Sequence, residues 1–145
     1  MQAASLVFLF LVIGGTASTQ SSRVFKARLA PVPIDVAMQA TVAGLGTASA
    51  SLTGTHLTVT GSFDGLKSPA TFAKIRKSAI RGLRGPEIFD LTITSASSGT
   101  SGTIAGSFDL NAQQLADLAA GRLYLQIHSE KAPDGNLWGW LLERK

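Results

Sequence analysis

Six of the thirteen basic residues, Lys67, Lys74, Arg76, Lys77, Arg81 and Arg84, fall between Asp64 and Glu87 with no acid among them. Ammonium and guanidinium groups only donate hydrogen bonds, so such a run suits an anion and repels a metal cation. Lys74 and Arg76 are two residues apart and share one face if the segment is a strand. The same spacing puts Trp138 and Trp140 on a common face. A cation stacked on either indole would gain ~0.5–2 kcal/mol. The histidines are two, His56 and His128, far apart in the chain and without clustered carboxylates beside them. One imidazole alone does not hold zinc or copper, and the chain has no cysteine to add thiolates. Ser129 directly follows His128, which directs the two to opposite faces of a strand, and no serine sits in a Gly-x-Ser-x-Gly elbow. The expected contacts are therefore Lys74, Arg76, Lys77, Arg81, Arg84, His128, Trp138 and Trp140, serving an anion or a protein partner. No enzyme activity, cofactor or resident metal is expected. Nucleic acid is disfavoured because aromatics do not interleave with the basic residues.

Positioning these groups requires strands. Residues 24–29 alternate before Pro31 and Pro33 end the ladder. Residues 46–53 and 56–63 alternate around a turn at Gly54, with Leu57, Val59, Gly61 and Phe63 on one face. Residues 87–94 and 102–110 flank a Ser/Gly loop. Residues 123–129 and 136–142 are joined through Pro133-Asp134-Gly135, read as a turn. Residues 111–120 form the one helix, with Asn111 as N-cap, Gln114 at the capping-box position and Gly121 as the stop. Residues 68–83 also fit a basic amphipathic helix begun by Ser68-Pro69, which could lie on an anionic membrane. A strand followed by a loop is the preferred reading there.

Seven or eight short strands without intervening helices predict an all-β, antiparallel Greek-key sandwich or flattened barrel. Its expected core includes Phe25, Leu29, Leu57, Val59, Phe63, Ile75, Ile88, Leu91, Ile104, Leu118, Tyr124, Ile127, Leu137 and Leu141. Ile88 and Leu91 both face inward only if the strand is bulged. Ahead of this domain, residues 6–13 are an unbroken apolar run followed by small residues. That pattern predicts a signal peptide over residues 1–19, cut near Ala17, and a single domain over residues 21–145. The run is shorter than the ~20 apolar residues of a membrane-spanning helix.

Three blocks of the sequence resemble the CHRD (chordin-type) domain. They are Gly61-Ser-Phe-Asp-Gly-Leu-Lys-Ser-Pro69, residues 73–91 ending in Gly-Pro and an apolar strand, and Tyr124-Leu-Gln-Ile-His-Ser followed by Pro133-Asp-Gly-Asn-Leu-Trp-Gly-Trp-Leu141. Where the family carries His-Ile-His, this chain has Lys74-Ile75-Arg76, and His128 alone remains of three recurrent histidines. The family's pattern is similar to the His-x-His of copper–zinc superoxide dismutases, a loose analogy of fold. The resemblance implies a secreted or periplasmic, monomeric, non-enzymatic binding or structural module. The alternatives are a metal-binding or degenerate dismutase-like protein and an anionic membrane-surface or polyanion binder.

Overall fold

The computed structural model describes residues 14–145. The apolar run at residues 6–13 lies outside the described residues. Nine strands and one helix follow in the order β1 (Ser22–Pro31), β2 (Leu45–Thr53), β3 (His56–Asp64), β4 (Ala70–Lys77), β5 (Glu87–Ser95), β6 (Gly102–Asp109), α1 (Ala112–Ala119), β7 (Leu123–Ser129), β8 (Ala132–Trp140) and β9 (Leu142–Glu143). A short 3-10 turn at Ala37–Ala40 lies in the connection after β1.

All pairings are antiparallel, and the first eight strands close in the order β1-β2-β3-β6-β5-β4-β7-β8 and back to β1. Closure removes the unpaired edges that invite aggregation. Strands β4, β5 and β6 follow one another by hairpin links, and β7 returns through α1 to lie beside β4, which is a Greek key. Two strands turn the corners of the flattened barrel. β1 pairs with β2 through Leu29, then with β8 at Ala30 and Pro31. β5 pairs with β4 through Leu91, then with β6 from Thr92 onward. The result is two packed faces, one built on β1-β2-β3-β6 and the other on β5-β4-β7-β8. The fold class read from the alternation is the one observed, with barrel closure completing it.

The interior takes one face of every long strand. Phe25, Leu29, Leu57, Val59, Phe63, Ile75, Leu91, Ile104, Ile127, Leu137 and Leu141 form one continuous cluster. Each fully buried aliphatic or aromatic side chain in it contributes about 1.5–3 kcal/mol. The bulge expected in β5 is present: Ile75 pairs with Phe89 but Arg76 with Glu87. Phe89 stacks on Phe108 at 4.4 Å, and Ile88 packs against the cluster from a partly buried position. The helix is capped as its sequence requires. The Asn111 side chain accepts from the Gln114 amide, and Gln114 reaches back to the Asn111 amide. Gly121 takes φ +69° just past its end.

The segment from residue 68 to 83 is a strand and a loop, the preferred reading, and the alternative amphipathic helix is absent. One local expectation is corrected. The turn between β7 and β8 is made by Glu130 and Lys131, so Pro133-Asp134-Gly135 lies within β8. Ser129 pairs with Ala132 and Ile127 with Leu137, which leaves residues 133–136 opposite His128 alone. This is an enlarged bulge of four residues against one, and Gly135 at φ +128° supports it. Proline tolerates the site because no ladder bond is asked of its nitrogen.

Candidate functional site

Of the residues singled out by charge, Lys74 and Arg76 lie on the outer face of β4 beside β7 and β8, Lys77 ends that strand, and Arg81 and Arg84 lie on the loop after it. Register fixes two rows across this face. Lys74 lies beside Gln126, which lies beside Trp138; Arg76 lies beside Tyr124, which lies beside Trp140. The two indoles touch edge to face at 4.7 Å, so the shared face is confirmed. Stacking of Lys74 or Arg76 on them is not observed, because a whole strand separates the cations from the indoles, about 10 Å at ~4.8 Å per strand. Tyr124 takes that place, stacked on Trp140 at 4.9 Å and edge-on to Trp138 at 5.9 Å.

The cations turn the other way, toward β5. Lys74 bridges Glu87 at 3.1 Å and Asp90 at 2.5 Å and lies over the Phe72 ring at 5.5 Å. Both carboxylates hold its ammonium above the usual lysine range, Asp90 the more strongly. Arg76 donates to Glu87 at 2.8 Å and to the Gly85 carbonyl at 3.0 Å. Lys77 pairs with Asp117 of α1 at 2.9 Å, a carboxylate whose side chain is only 2% exposed. Thus the three cations of β4 are locally neutralised by acids that follow them in sequence, while Lys67 and Arg84 bond to backbone carbonyls.

Strand β7 is buried along its whole length, on both faces. The interior covers one side. Residues 78–86 and the β8 bulge cover the other. The Tyr124 hydroxyl accepts from the Gly85 amide at 3.0 Å, Trp140 donates to Ser78 Oγ at 2.9 Å, and Arg84 Nη1 donates to the Asp134 carbonyl. The bulge aims two carbonyls at β7: that of Asp134 accepts from Gln126 at 3.3 Å and that of Pro133 from His128 Nδ1 at 2.8 Å. Arg81, Ile80 and Leu83 are left at the exposed crest of the covering loop.

His128 is 2% exposed and stacks on Phe72 at 4.1 Å. A carbonyl only accepts, so Nδ1 carries the proton and Nε2 holds the lone pair. Nε2 is buried without a partner, as is Nε of Arg76. Burial pushes the imidazole below its ordinary value; the Pro133 carbonyl opposes this, and the nearby Arg76 adds to it. The sign of the pH effect follows. Below the ordinary histidine value of about 6.5 the unfolded chain takes up a proton that the folded chain resists. Stability from this residue is therefore complete above that value and declines as pH falls toward the folded pKa. The melting temperature is expected to drop as pH falls below about 6.5. His128→Asn keeps an N–H for Pro133 and is expected to flatten that drop; an equally steep fall in the variant would assign it elsewhere.

His56 lies on β3, on the opposite face of the barrel, paired with Asp109 at 3.0 Å. The two histidines thus never meet. Among the described residues no three His, Cys, Asp or Glu side chains cluster as a metal site would need. No helix among them is long and apolar enough to cross a membrane. Sequence reasoning singled out the cations but missed the apolar crest of Ile80 and Leu83 and the covering role of the bulge. The Ser-Ala-Ile-Arg-Gly-Leu-Arg-Gly-Pro stretch, rich in turn formers, was the signal for the loop.

No curated protein and no solved structure shows significant similarity to the chain. Among protein-family models, that of the CHRD domain matches residues 25–141, which span the barrel from β1 to the end of β8 and include both rows of the outer face. With that match over most of its length, the chain belongs to the CHRD domain family.

Proposed function

We propose that this chain is an exported, non-enzymatic binding module that engages a protein partner through the loop at residues 78–86. The observation that carries the reading is the crest of that loop. Ile80 and Leu83 are 66% and 53% exposed, with Arg81 between them, on a loop fixed from below by Tyr124, Trp140 and Asp134. Apolar side chains held out on a tethered loop suit a hot spot that enters a pocket on a partner. Arg81 makes no ion pair among the described residues, so acids at the rim of that pocket complement it. Lys74, Arg76, Lys77 and His128 then form the platform, while Arg84 and the tryptophans brace the loop. The non-enzymatic reading is supported by how fully the reactive groups are committed. Both strand cations are ion-paired, the tyrosine hydroxyl is bonded to the loop, and the bare imidazole nitrogen is sealed from solvent. Export is supported by the apolar run at residues 6–13 and the small residues after it.

The test is site-specific photo-crosslinking in the exporting cell. A photoreactive residue at position 80 is expected to give a discrete protein adduct, and one at Thr58 on the opposite face none. Leu83→Asp is expected to abolish the adduct without lowering the melting temperature. Adducts independent of Leu83, or transfer of the signal to anionic vesicles in co-sedimentation, would remove the protein-partner reading.

A further inference from the structure

The face opposite the loop carries a second feature. An open groove of about 740 Å³ runs over the outer surface of β1, β2 and β3. Its floor is hydroxylic: Thr47 and Ser49 from β2, Thr60 and Ser62 from β3. Register arranges these into two rows, each headed by a cation. Lys26 lies beside Ser49, which lies beside Thr60; Arg28 lies beside Thr47, which lies beside Ser62. Lys26 and Arg28 are two residues apart on one strand face, about 7 Å. Arg144, whose amide bonds to the Val24 carbonyl, adds a third charge to the same lining.

No acid lines the groove. Among the carboxylates on the strands of this face, Glu143 pairs with Arg23 at 2.7 Å, Asp109 pairs with His56 at 3.0 Å, and Asp64 accepts from the Gly65 amide at 2.8 Å. Among the described residues, Lys26, Arg28 and Arg144 make no ion pair, in contrast to Lys74, Arg76 and Lys77. The positive surface available to a ligand therefore lies on this face as well as on the crest, although the charge run in the sequence points elsewhere.

We propose that this groove binds an acidic polysaccharide. Three exposed, unneutralised cations attract repeated carboxylate or sulfate groups. The hydroxyls both donate and accept, which matches the hydroxyl groups of sugar rings between the charges. No aromatic side chain lines the groove, so it offers no stacking platform for nucleobases. The site is independent of the loop at residues 78–86, and the two together would let the domain sit on an acidic glycan while presenting its crest to a partner.

The experiment measures affinity for heparin and for polygalacturonate, with dextran as the neutral control. Both acidic chains are expected to bind and to be released by salt, and dextran is expected not to bind. The combined Lys26→Gln, Arg28→Gln and Arg144→Gln variant is expected to bind roughly tenfold more weakly with unchanged melting temperature. The Arg81→Gln, Arg84→Gln variant is expected to bind as the parent does. Amide shift changes in the unaltered protein with heparin oligosaccharide are expected in β1–β3 and not in β4–β5, which keeps the test decisive should the triple variant fold poorly. Unchanged affinity in a folded triple variant, equal binding of dextran, equal binding of single-stranded DNA, or shifts confined to the opposite face would each overturn the assignment.

Discussion

Tyr124→Ala is expected to lower unfolding free energy by about 4 kcal/mol. The side chain is fully buried although it points away from the main interior. It fills the space between the Trp140 face and the Trp138 edge, and its hydroxyl accepts from the Gly85 amide. Truncation leaves a cavity under the covering loop and strips the loop of its central anchor. Tyr124→Phe separates the two effects. It keeps the ring and leaves the Gly85 donor unmet, at a cost of about 1 kcal/mol. Denaturant unfolding gives both numbers, and hydrogen exchange at residues 79–85 reads the loop. Faster exchange is expected in the Phe variant, with a midpoint lowered far less than in the Ala variant. An Ala variant within about 1 kcal/mol of the parent would mean that the aromatic cluster is peripheral and the loop is held by Ser78 and Arg84 alone.

The aromatic cluster also marks the boundary of what alternation could reveal. Leu57, Val59 and Phe63 declare their face because the other face of β3 meets water and is filled by Thr58, Thr60 and Ser62. Asn111, Gln114 and Gly121 declare the helix because capping is settled within a few residues. Strand β7 breaks the rule. Tyr124, Gln126 and His128 read as its polar side, yet all three are buried, because a loop some forty residues upstream and a bulge a few residues downstream cover them. Pro133-Asp134-Gly135 was legible as an irregular backbone but not as which kind. The residues that favour a turn also favour a bulge, and only pairing with β7 decides between them.

Charge was legible in amount and not in disposition. The acid-free run from Lys67 to Arg84 is an ordinary fact of composition. Neutralisation of its β4 members depends on the β4–β5 hairpin, which brings Glu87 and Asp90 opposite Lys74 and Arg76, and on α1, which brings Asp117 to Lys77. The same folding leaves Lys26, Arg28 and Arg144 with no acid at all, though they are scattered in sequence and drew no notice there. Pairing distance in space, which topology sets, outweighs clustering along the chain.

Gly139→Val is expected to cost about 3 kcal/mol, for a reason peculiar to barrel closure. Gly139 does not take a positive φ, so its backbone conformation suits any residue. At such a site, replacing glycine commonly stabilises a protein by about 0.4–1 kcal/mol through the unfolded chain. Here sterics reverse the sign. A Cβ at residue 139 would press into the Arg28 carbonyl oxygen and meet the Leu29 side chain at 3.0 Å. Those atoms belong to β1 where it leaves β2 and joins β8 at Ala30 and Pro31. A carbonyl on that seam moves only if the seam opens. Gly139→Ala is expected to be destabilising by a smaller amount, since one methyl is the least that the carbonyl must avoid. Trp138 and Trp140 flank the site and report it directly: equilibrium unfolding followed by their emission gives the energy, and a red shift in the folded baseline shows the seam loosened. An Ala variant more stable than the parent would mean that β1 yields freely at this corner and that closure between β1 and β8 contributes little to holding the barrel shut.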